Sequence, residues 1–240
     1  MTAATLVRPA LWLTFPAVRA AAHALWTAPR LRERYPAYLA VMHGLIRASV
    51  PLMETAAERC RLLPPEDPSA GPLAGYFGIH AEEERGHDDW LLEDLAVLGV
   101  RTPDALLADA PLAVAGPGGD LRDDIAALAG AQYYLIRHCH PACLLGYIAV
   151  LEGCPPDAAV TSRLPALTGW PAAAFRTVAE HAALDPGHQR DLDALLDVLT
   201  LRPAVTAAVA RNVAFTADRA ASLLYRLAGP PGGTASRGTS

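Results

Sequence analysis

The chain of 240 residues contains no lysine, and its 20 basic residues are all arginines. Enzymes that form a Schiff base on lysine, including those that anchor pyridoxal phosphate, are therefore excluded, and so is a Walker A phosphate loop. The four cysteines form no CxxC pair. We therefore expect free thiols in a reducing cytoplasm rather than a disulfide framework.

Charge and hydropathy argue against two further classes of partner. The net charge is −5 and the arginines form no run, which argues against nucleic acid. No stretch approaches the roughly 20 uninterrupted apolar residues of a membrane helix. The apolar stretch from Pro9 to Val18 is followed by Arg19 and His23, so we expect a short helix packed on the body of the protein rather than a signal peptide.

What the sequence does contain is typical of an all-α protein. Apolar residues make up 52% of the chain, and no run alternates with the period of a strand. We expect one domain over residues 1–228 and a flexible tail over 229–240. The loop over 101–119 is expected to hold one short helical turn. Proline and glycine separators predict a bundle of about seven helices at about 5–27, 37–62, 69–98, 120–152, 157–168, 171–199 and 203–228.

The strongest local signal is the segment His181-Ala-Ala-Leu-Asp185-Pro-Gly-His188. At helical spacing all three ligand-type side chains project from one face, and two imidazoles with a carboxylate suit a first-row transition metal. The alternative is a solvated helix face. Pro186 and Gly187 further predict that the helix is kinked or locally unwound at this point.

A second signal lies in the segment from His80 to His87. Glu84 and His87 are three residues apart, which places a carboxylate beside an imidazole, as in di-iron carboxylate bundles. Glu83 and His80 could reach the same centre, so the choice among these residues stays open. The alternative is again an exposed charged face.

Glu152 is the third element, because it ends the apolar stretch from Ala142 to Leu151. A carboxylate at the end of a buried face needs a cation or a proton, since burying it bare costs many kcal/mol. Glu152 could instead cap a neighbouring helix. Combined with the two other segments, it favours a metal centre of three imidazoles and three carboxylates.

On these residues the chain resembles the haem-oxygenase-like di-iron oxidases and oxygenases, a superfamily that shares its helical fold with TenA and the pyrroloquinoline-quinone synthases. The segment from His181 to His188 matches the last-helix ligand motif. Glu84-x2-His87, followed by Trp90-Leu-Leu-Glu-Asp-Leu and Leu98-Gly99, matches the second ligand helix of the fatty-acid decarboxylase branch. The resemblance covers about Tyr35 to Leu199.

The resemblance implies a metal set in which Glu152 is the bridging carboxylate. Glu54 corresponds to an extra ligand in some members, although it also shares a helix face with charged residues and could form a surface salt bridge instead. Some members carry a glutamate where this chain has His80. The implied ligands are Glu84, His87, Glu152, His181, Asp185 and His188, with Glu54 as a weaker candidate.

The expected function is therefore that of a non-haem di-iron oxidoreductase with two Fe(II) ions and dioxygen as co-substrate. The substrate would be a small amino-acid-like or fatty-acid-like molecule, and the reaction an N-oxygenation, an oxidative C–C cleavage or a desaturation in specialised metabolism. An electron donor is an expected partner, and a homodimer is left open. Weak candidates for the substrate pocket are His43, Tyr134, Arg137 and His138.

Two other functions remain as alternatives. The first is a metal-free TenA-like or pyrroloquinoline-quinone-synthase-like enzyme that acts on a small heterocycle, with Cys139 and Cys143 as its thiols. The second is a non-catalytic metal-binding protein.

Overall fold

The structure is a computed structural model that describes residues 2–108 and 120–229. Within these ranges the regular structure is helical, apart from one isolated bridge between Thr2 and Thr200, so the all-α prediction is confirmed. Two 3-10 turns lie at Pro141–Cys143 and Ala172–Phe175. The α-helices are α1 (Ala4–Trp26), α2 (Leu31–Arg61), α3 (Ala70–Glu83), α4 (His87–Val97), α5 (Pro103–Ala108), α6 (Leu121–His138), α7 (Leu144–Leu151), α8 (Ala158–Thr161), α9 (Leu164–Thr168), α10 (Arg176–Val198) and α11 (Pro203–Ala228).

Helix α2 is the central element, because it contacts α3, α4, α5 and α6. It begins at Leu31, six residues before the predicted start, and continues through Pro36. The proline removes the hydrogen bond to the carbonyl of Arg32. That carbonyl instead accepts a hydrogen bond of 3.0 Å from Trp170 Nε1, so a tertiary contact compensates for the proline.

Three of the predicted helices are interrupted, so the described residues hold more helical segments than the about seven predicted. The predicted helix over 69–98 breaks at Gly86, which adopts a left-handed conformation with φ of 86°. The one over 120–152 ends at His138 and restarts as a 3-10 turn at Pro141. The one over 157–168 consists of the short helices α8 and α9.

Helix α10 contains Pro186 and Gly187, where the sequence predicted a kink or local unwinding. It runs without a break from Arg176 to Val198, so the predicted unwinding is wrong. Pro186 removes a single hydrogen bond, to the carbonyl of Ala182. Residues on both sides of it are buried against the rest of the protein, and this packing keeps the turn helical.

Tight packing positions α7, which ends next to Glu152. Helix α7 lies against α11, and a Cβ atom on Gly146 would come within 2.7 Å of the carbonyl oxygen of Val209. The two backbones can approach this closely only because glycine occupies the contact. At the start of the same helix, Asn212 Nδ2 donates hydrogen bonds to Gln132 Oε1 (2.7 Å) and to the carbonyl of Cys143 (2.8 Å).

The N-terminal apolar segment forms α1, which packs along α11, and Arg8 joins it to Asp193 and Asp197 of α10. Among the described residues, no helix is both long enough and apolar enough to cross a membrane. Helix α5 provides the short helix predicted within 101–119, whereas residues 109–119 and the predicted tail from 230 onward lie outside the described residues.

Candidate metal centre

Six ligand-type side chains from four helices converge at one place in the bundle. They form two groups, and within each group the donor atoms lie within 4.8 Å of one another. The glutamate that follows α3, Glu84, belongs to both groups. Group A comprises Glu84, His87 and His181, and group B comprises His80, Glu84, Glu152 and His188.

Group A joins α4 to α10. His87 Nδ1 donates a hydrogen bond of 3.0 Å to Glu84 Oε2. The rings of His87 and His181 meet edge to face with centroids 5.1 Å apart. Two histidines and one carboxylate are the donor set of many non-haem Fe(II) oxygenases, which leave the remaining positions open.

Group B joins α3 to α7 and α10. His80 Nε2 donates a hydrogen bond of 2.7 Å to Glu152 Oε1. His188 Nδ1 lies 3.4 Å from Glu84 Oε1 and 3.9 Å from Glu152 Oε2. Glu84 therefore directs one carboxylate oxygen to each group, which is the arrangement of a bridging ligand.

The break between α3 and α4 sets the direction of these side chains. Glu84 follows α3, Gly86 turns the chain with a positive φ, and His87 begins α4. The predicted three-residue spacing of Glu84 and His87 is thus realised across a turn rather than within one helix. His80, one turn before Glu84 on α3, stacks on Tyr76 with centroids 5.4 Å apart.

His181 is held by contacts that the sequence did not reveal. Its Nδ1 donates a hydrogen bond of 2.9 Å to the carbonyl of Thr177, which leaves Nε2 as the free acceptor. Asp94 of α4 in turn accepts hydrogen bonds from the backbone N–H groups of Arg176 (3.2 Å) and Thr177 (2.9 Å). The first turn of α10 is therefore fixed to α4, and with it the orientation of the imidazole.

The electrostatics of the centre are those of buried carboxylates that need positive charge. Burial disfavours the charged form of His80, but its hydrogen bond to Glu152 and the negative charge of that carboxylate raise its pKa to about 9. Burial also acts to raise the pKa of Glu84, yet the hydrogen bond from His87 lowers it overall. Protons on imidazole thus supply the positive charge that a metal ion would supply when bound.

Unpartnered polar atoms show that this donor set fits a metal. Four buried atoms of the two groups and one of the neighbouring Asp185 have no hydrogen-bond partner among the described residues, although buried polar groups are nearly always paired. They belong to three carboxylates and two imidazoles, which are donors that metal ions bound at the two groups would satisfy. The atoms are Glu84 Oε1, Glu152 Oε2, His181 Nε2, Asp185 Oδ1 and His188 Nδ1.

Beside the centre lies a cavity of about 150 Å³, called the inner cavity below. Its walls come from α1, α2, α7, α10 and α11 and are mostly apolar, with Val41, Met42 and Leu45 among them. Glu84, Glu152, His181 and Asp185 of the centre also line it. An apolar pocket that ends on a few convergent polar groups is the usual form of a small-molecule site.

The ligand candidates predicted from the sequence differ in whether they belong to the two groups. Asp185 is buried and lines the inner cavity, but it belongs to neither group. Burial, with the charges of Glu152 and Glu84, raises its pKa to about 8. Glu83 lies at the edge of group B, 3.5 Å from His80 Nδ1. His80, whose role was left open, is a full member of group B.

Glu54 does not reach the centre. Its side chain is 50% exposed and forms a salt bridge of 3.0 Å with Arg85. The surface salt bridge that the sequence offered as the alternative is therefore the one observed, with Arg85 as the partner.

None of the four residues predicted for the substrate pocket lines the inner cavity. Tyr134 is 66% exposed, and Arg137 and His138 are exposed on the same outward face of α6. His43 is buried in α2 but lies away from the cavity.

The two thiols named for the metal-free alternative also lie outside the inner cavity. Cys139 and Cys143 lie together with sulfur atoms 3.6 Å apart and do not line the inner cavity. Cys154 does line it, and burial raises the pKa of its thiol. A buried thiol of raised pKa is a poor nucleophile.

Two solved structures share this architecture. A domain of unknown function with a heme oxygenase-like fold, from Shewanella denitrificans, matches with a TM-score of 0.67 and 17% identity over 94% of this chain and 88% of that chain. This chain has the haem-oxygenase-like fold. A TenA homolog from Pseudomonas syringae pv. tomato matches with a TM-score of 0.67 and 13% identity over 92% of this chain and 91% of that chain.

The haem-oxygenase-like fold that the resemblance implied is thereby confirmed. No protein-family model and no curated protein matches the chain. At these identities the likeness to the solved structures extends to the fold alone. The chemistry of the two donor groups within this haem-oxygenase-like fold is therefore argued from their own geometry.

Proposed function

We propose that this protein is a non-haem di-iron enzyme that activates dioxygen to oxidise a small organic substrate. The observation that carries the proposal is that Glu84 joins two groups of buried donors, with one oxygen toward each. A carboxylate shared between two histidine-rich groups suits a pair of metal ions. The absence of cysteine from both groups favours iron over a thiolate-bound zinc.

The residues would divide the task as follows. Glu84, His87 and His181 would hold one ion, and His80, Glu84, Glu152 and His188 the other. Asp185, whose buried Oδ1 is unpartnered, is the residue we assign to complete the coordination from the side of the inner cavity. Two Fe(II) ions held there would supply the electrons that reduce dioxygen and so make it reactive toward a C–H or N–H bond.

The protein itself would orient the metal ligands and keep water away from the centre. The hydrogen bond from His181 Nδ1 to the carbonyl of Thr177 fixes the ring so that Nε2 faces the centre. The apolar walls of the inner cavity exclude water and hold an apolar part of the substrate next to the donors. This environment limits side reactions of a strongly oxidising centre.

Thiol chemistry of the metal-free alternative receives less support. The thiol at the inner cavity is Cys154, and burial raises its pKa. Among the described residues, His181 of group A is the histidine that lines that cavity.

Anaerobic reconstitution with Fe(II) followed by elemental analysis tests the proposal. We expect about two iron ions per chain, the number that the two donor groups require, and consumption of dioxygen by the loaded protein. The double variant His181→Ala/His188→Ala should lose iron and dioxygen consumption.

The matched control is His138→Ala, because His138 is an exposed histidine outside the centre and should leave both measurements unchanged. Iron at background level in the unaltered protein would contradict the proposal.

A further inference from the structure

Next to the inner cavity an open groove of about 880 Å³ leads to the surface, called the outer groove below. The two spaces adjoin, because five residues line both: Ala22, Trp26, Cys154, Pro155 and Pro156. A ligand that reaches past these residues would have one end beside the metal centre and the other in the outer groove.

The outer groove is basic, although the chain as a whole carries a net charge of −5. Within the described part of the chain, its walls include four arginines and His23 against a single carboxylate from Asp157. That carboxylate is engaged at the start of α8, where it accepts a hydrogen bond of 2.7 Å from the backbone N–H of Ala159. The four arginines are Arg19, Arg30, Arg32 and Arg163.

Two of these arginines are available for a ligand. Arg30 forms a salt bridge with Glu33, and Arg32 stacks over Trp170 and donates to the carbonyl of Thr168. Arg19 also lies over an aromatic ring, with its Cζ 5.6 Å from the centroid of Phe15, but neither Arg19 nor Arg163 forms a salt bridge with any described residue. Arg19 also lies beside Cys154, which is one of the residues common to both spaces.

The inner cavity, unlike the outer groove, is not basic. No arginine in the described part of the chain lines it, and its acidic and imidazole side chains are Glu84, Glu152, Asp185 and His181. Its volume of about 150 Å³ equals that of an engineered apolar cavity that takes up benzene. An apolar group of that size fits there, whereas an anionic group would meet the carboxylates of Glu84 and Glu152.

We propose that the substrate is an amphipathic organic anion, whose carboxylate or phosphate group binds Arg19 and Arg163 in the outer groove while a benzene-sized apolar group fills the inner cavity beside the metal centre. Arginine is suited to this task because its guanidinium binds either anion through paired hydrogen bonds. The reacting atom is then remote from the anionic group. The inference rests on the proposed function for the chemistry at the centre, but the binding site itself requires no metal.

Calorimetric titration of metal-free and Fe(II)-loaded protein tests this orientation. The probes are 4-phenylbutanoate, 4-phenylbutyl phosphate and the neutral 4-phenylbutan-1-ol. At least one anion should bind more tightly than the alcohol in both forms, and the tighter anion identifies the head group. In Arg19→Gln and in Arg163→Gln the affinity for that anion should fall about tenfold or more, the usual effect of losing one charge-assisted hydrogen bond.

The alcohol should bind these variants as it binds the unaltered protein. The control variant is Arg219→Gln, because Arg219 is an exposed arginine on α11 that pairs with its neighbour Asp218. It should change no affinity.

Anion affinities that are unchanged in both arginine variants would overturn the proposal, and so would an equal loss of affinity for the alcohol. Anion binding that requires iron and ignores both arginines would place the anionic group at the metals and overturn the orientation while supporting the metal centre. Arginine-dependent binding in a protein that takes up no iron would support the binding site and contradict the proposed function.

Discussion

Most of the donors come from two segments, 80–87 and 181–188. These segments direct their side chains to the centre from different backbone structures. The first crosses a break, with Gly86 in a left-handed conformation between α3 and α4. The second stays within the continuous helix α10, even though it contains Pro186 and Gly187. Glycine and proline therefore do not by themselves decide where a helix ends, since the packing on each side of them decides it.

The segments also differ in what they contribute. Segment 80–87 contains Glu84, which takes part in both donor groups, whereas each histidine of segment 181–188 takes part in one. Loss of Glu84 should therefore affect the centre more than loss of any single histidine.

The largest effect we predict is on iron binding. Glu84→Gln should abolish binding of both ions, because the amide cannot supply a charged oxygen to each group. His181→Ala should remove the ion of group A and leave group B with its four donors. Both outcomes are checked by measuring the number of iron ions per chain in each variant after anaerobic reconstitution.

Glu82→Gln is the control for that experiment, because Glu82 is exposed and pairs with Arg85. Retention of one ion by Glu84→Gln would show that the two groups do not share this carboxylate.

A smaller effect concerns the pH dependence of stability in the metal-free protein. The pKa of Asp185 is raised to about 8, so between its ordinary value and pH 8 the native state binds a proton that the unfolded state has released. Stability due to this group is complete at low pH and is lost as the pH rises toward 8. In Asp185→Asn, the fall in Tm between about pH 5 and pH 8 should be smaller by about 4 °C or more.

Asp191→Asn serves as the control for that comparison, because Asp191 is an exposed aspartate on the same helix. An equal fall in Tm for Asp185→Asn and the unaltered protein would show that Asp185 is ionised throughout.

The smallest predicted effect is on the stability of variants at the two glycines, Gly86 and Gly187. Gly86→Ala should destabilise the protein by about 1 kcal/mol, because a side chain disfavours its positive φ even though nothing lies within 4 Å of the added Cβ. Gly187→Ala should stabilise it by about 0.5–1 kcal/mol, because the residue is helical and its nearest contact, at 3.8 Å, is the flexible end of Arg190.

Thermal unfolding measures both variants, and each kcal/mol corresponds to about 2–4 °C in Tm. A lower Tm for Gly187→Ala would mean that α10 needs flexibility at this turn.

Much of the centre could be predicted because its signals are local. The spacing within 181–188 and the pair Glu84 and His87 can be identified without tertiary information, and the structure brings these residues together. The role of His80 could not be chosen in this way. It depends on a hydrogen bond to Glu152, a residue 72 positions away along the chain.

Three of the residues predicted for the substrate pocket lie on an outward face of α6, for a reason that the sequence could have exposed. The buried positions of α6 include Leu128, Gln132 and Ile136, at intervals of four residues. Tyr134, Arg137 and His138 fall off that stripe and face outward. The outer groove, by contrast, is formed by α1, the start of α2 and the segments around α8 and α9, which no single stretch of sequence reveals as neighbours.

The contact between Asp94 and the start of α10 has a consequence for how the protein matures on the ribosome. The two partners are 82 and 83 residues apart, and the contact that orients His181 cannot form until the C-terminal part of the chain has been made. A nascent chain that ends before Arg176 carries His80, Glu84, His87 and Glu152 but lacks both histidines of α10. Both donor groups are therefore complete only after synthesis has passed α10.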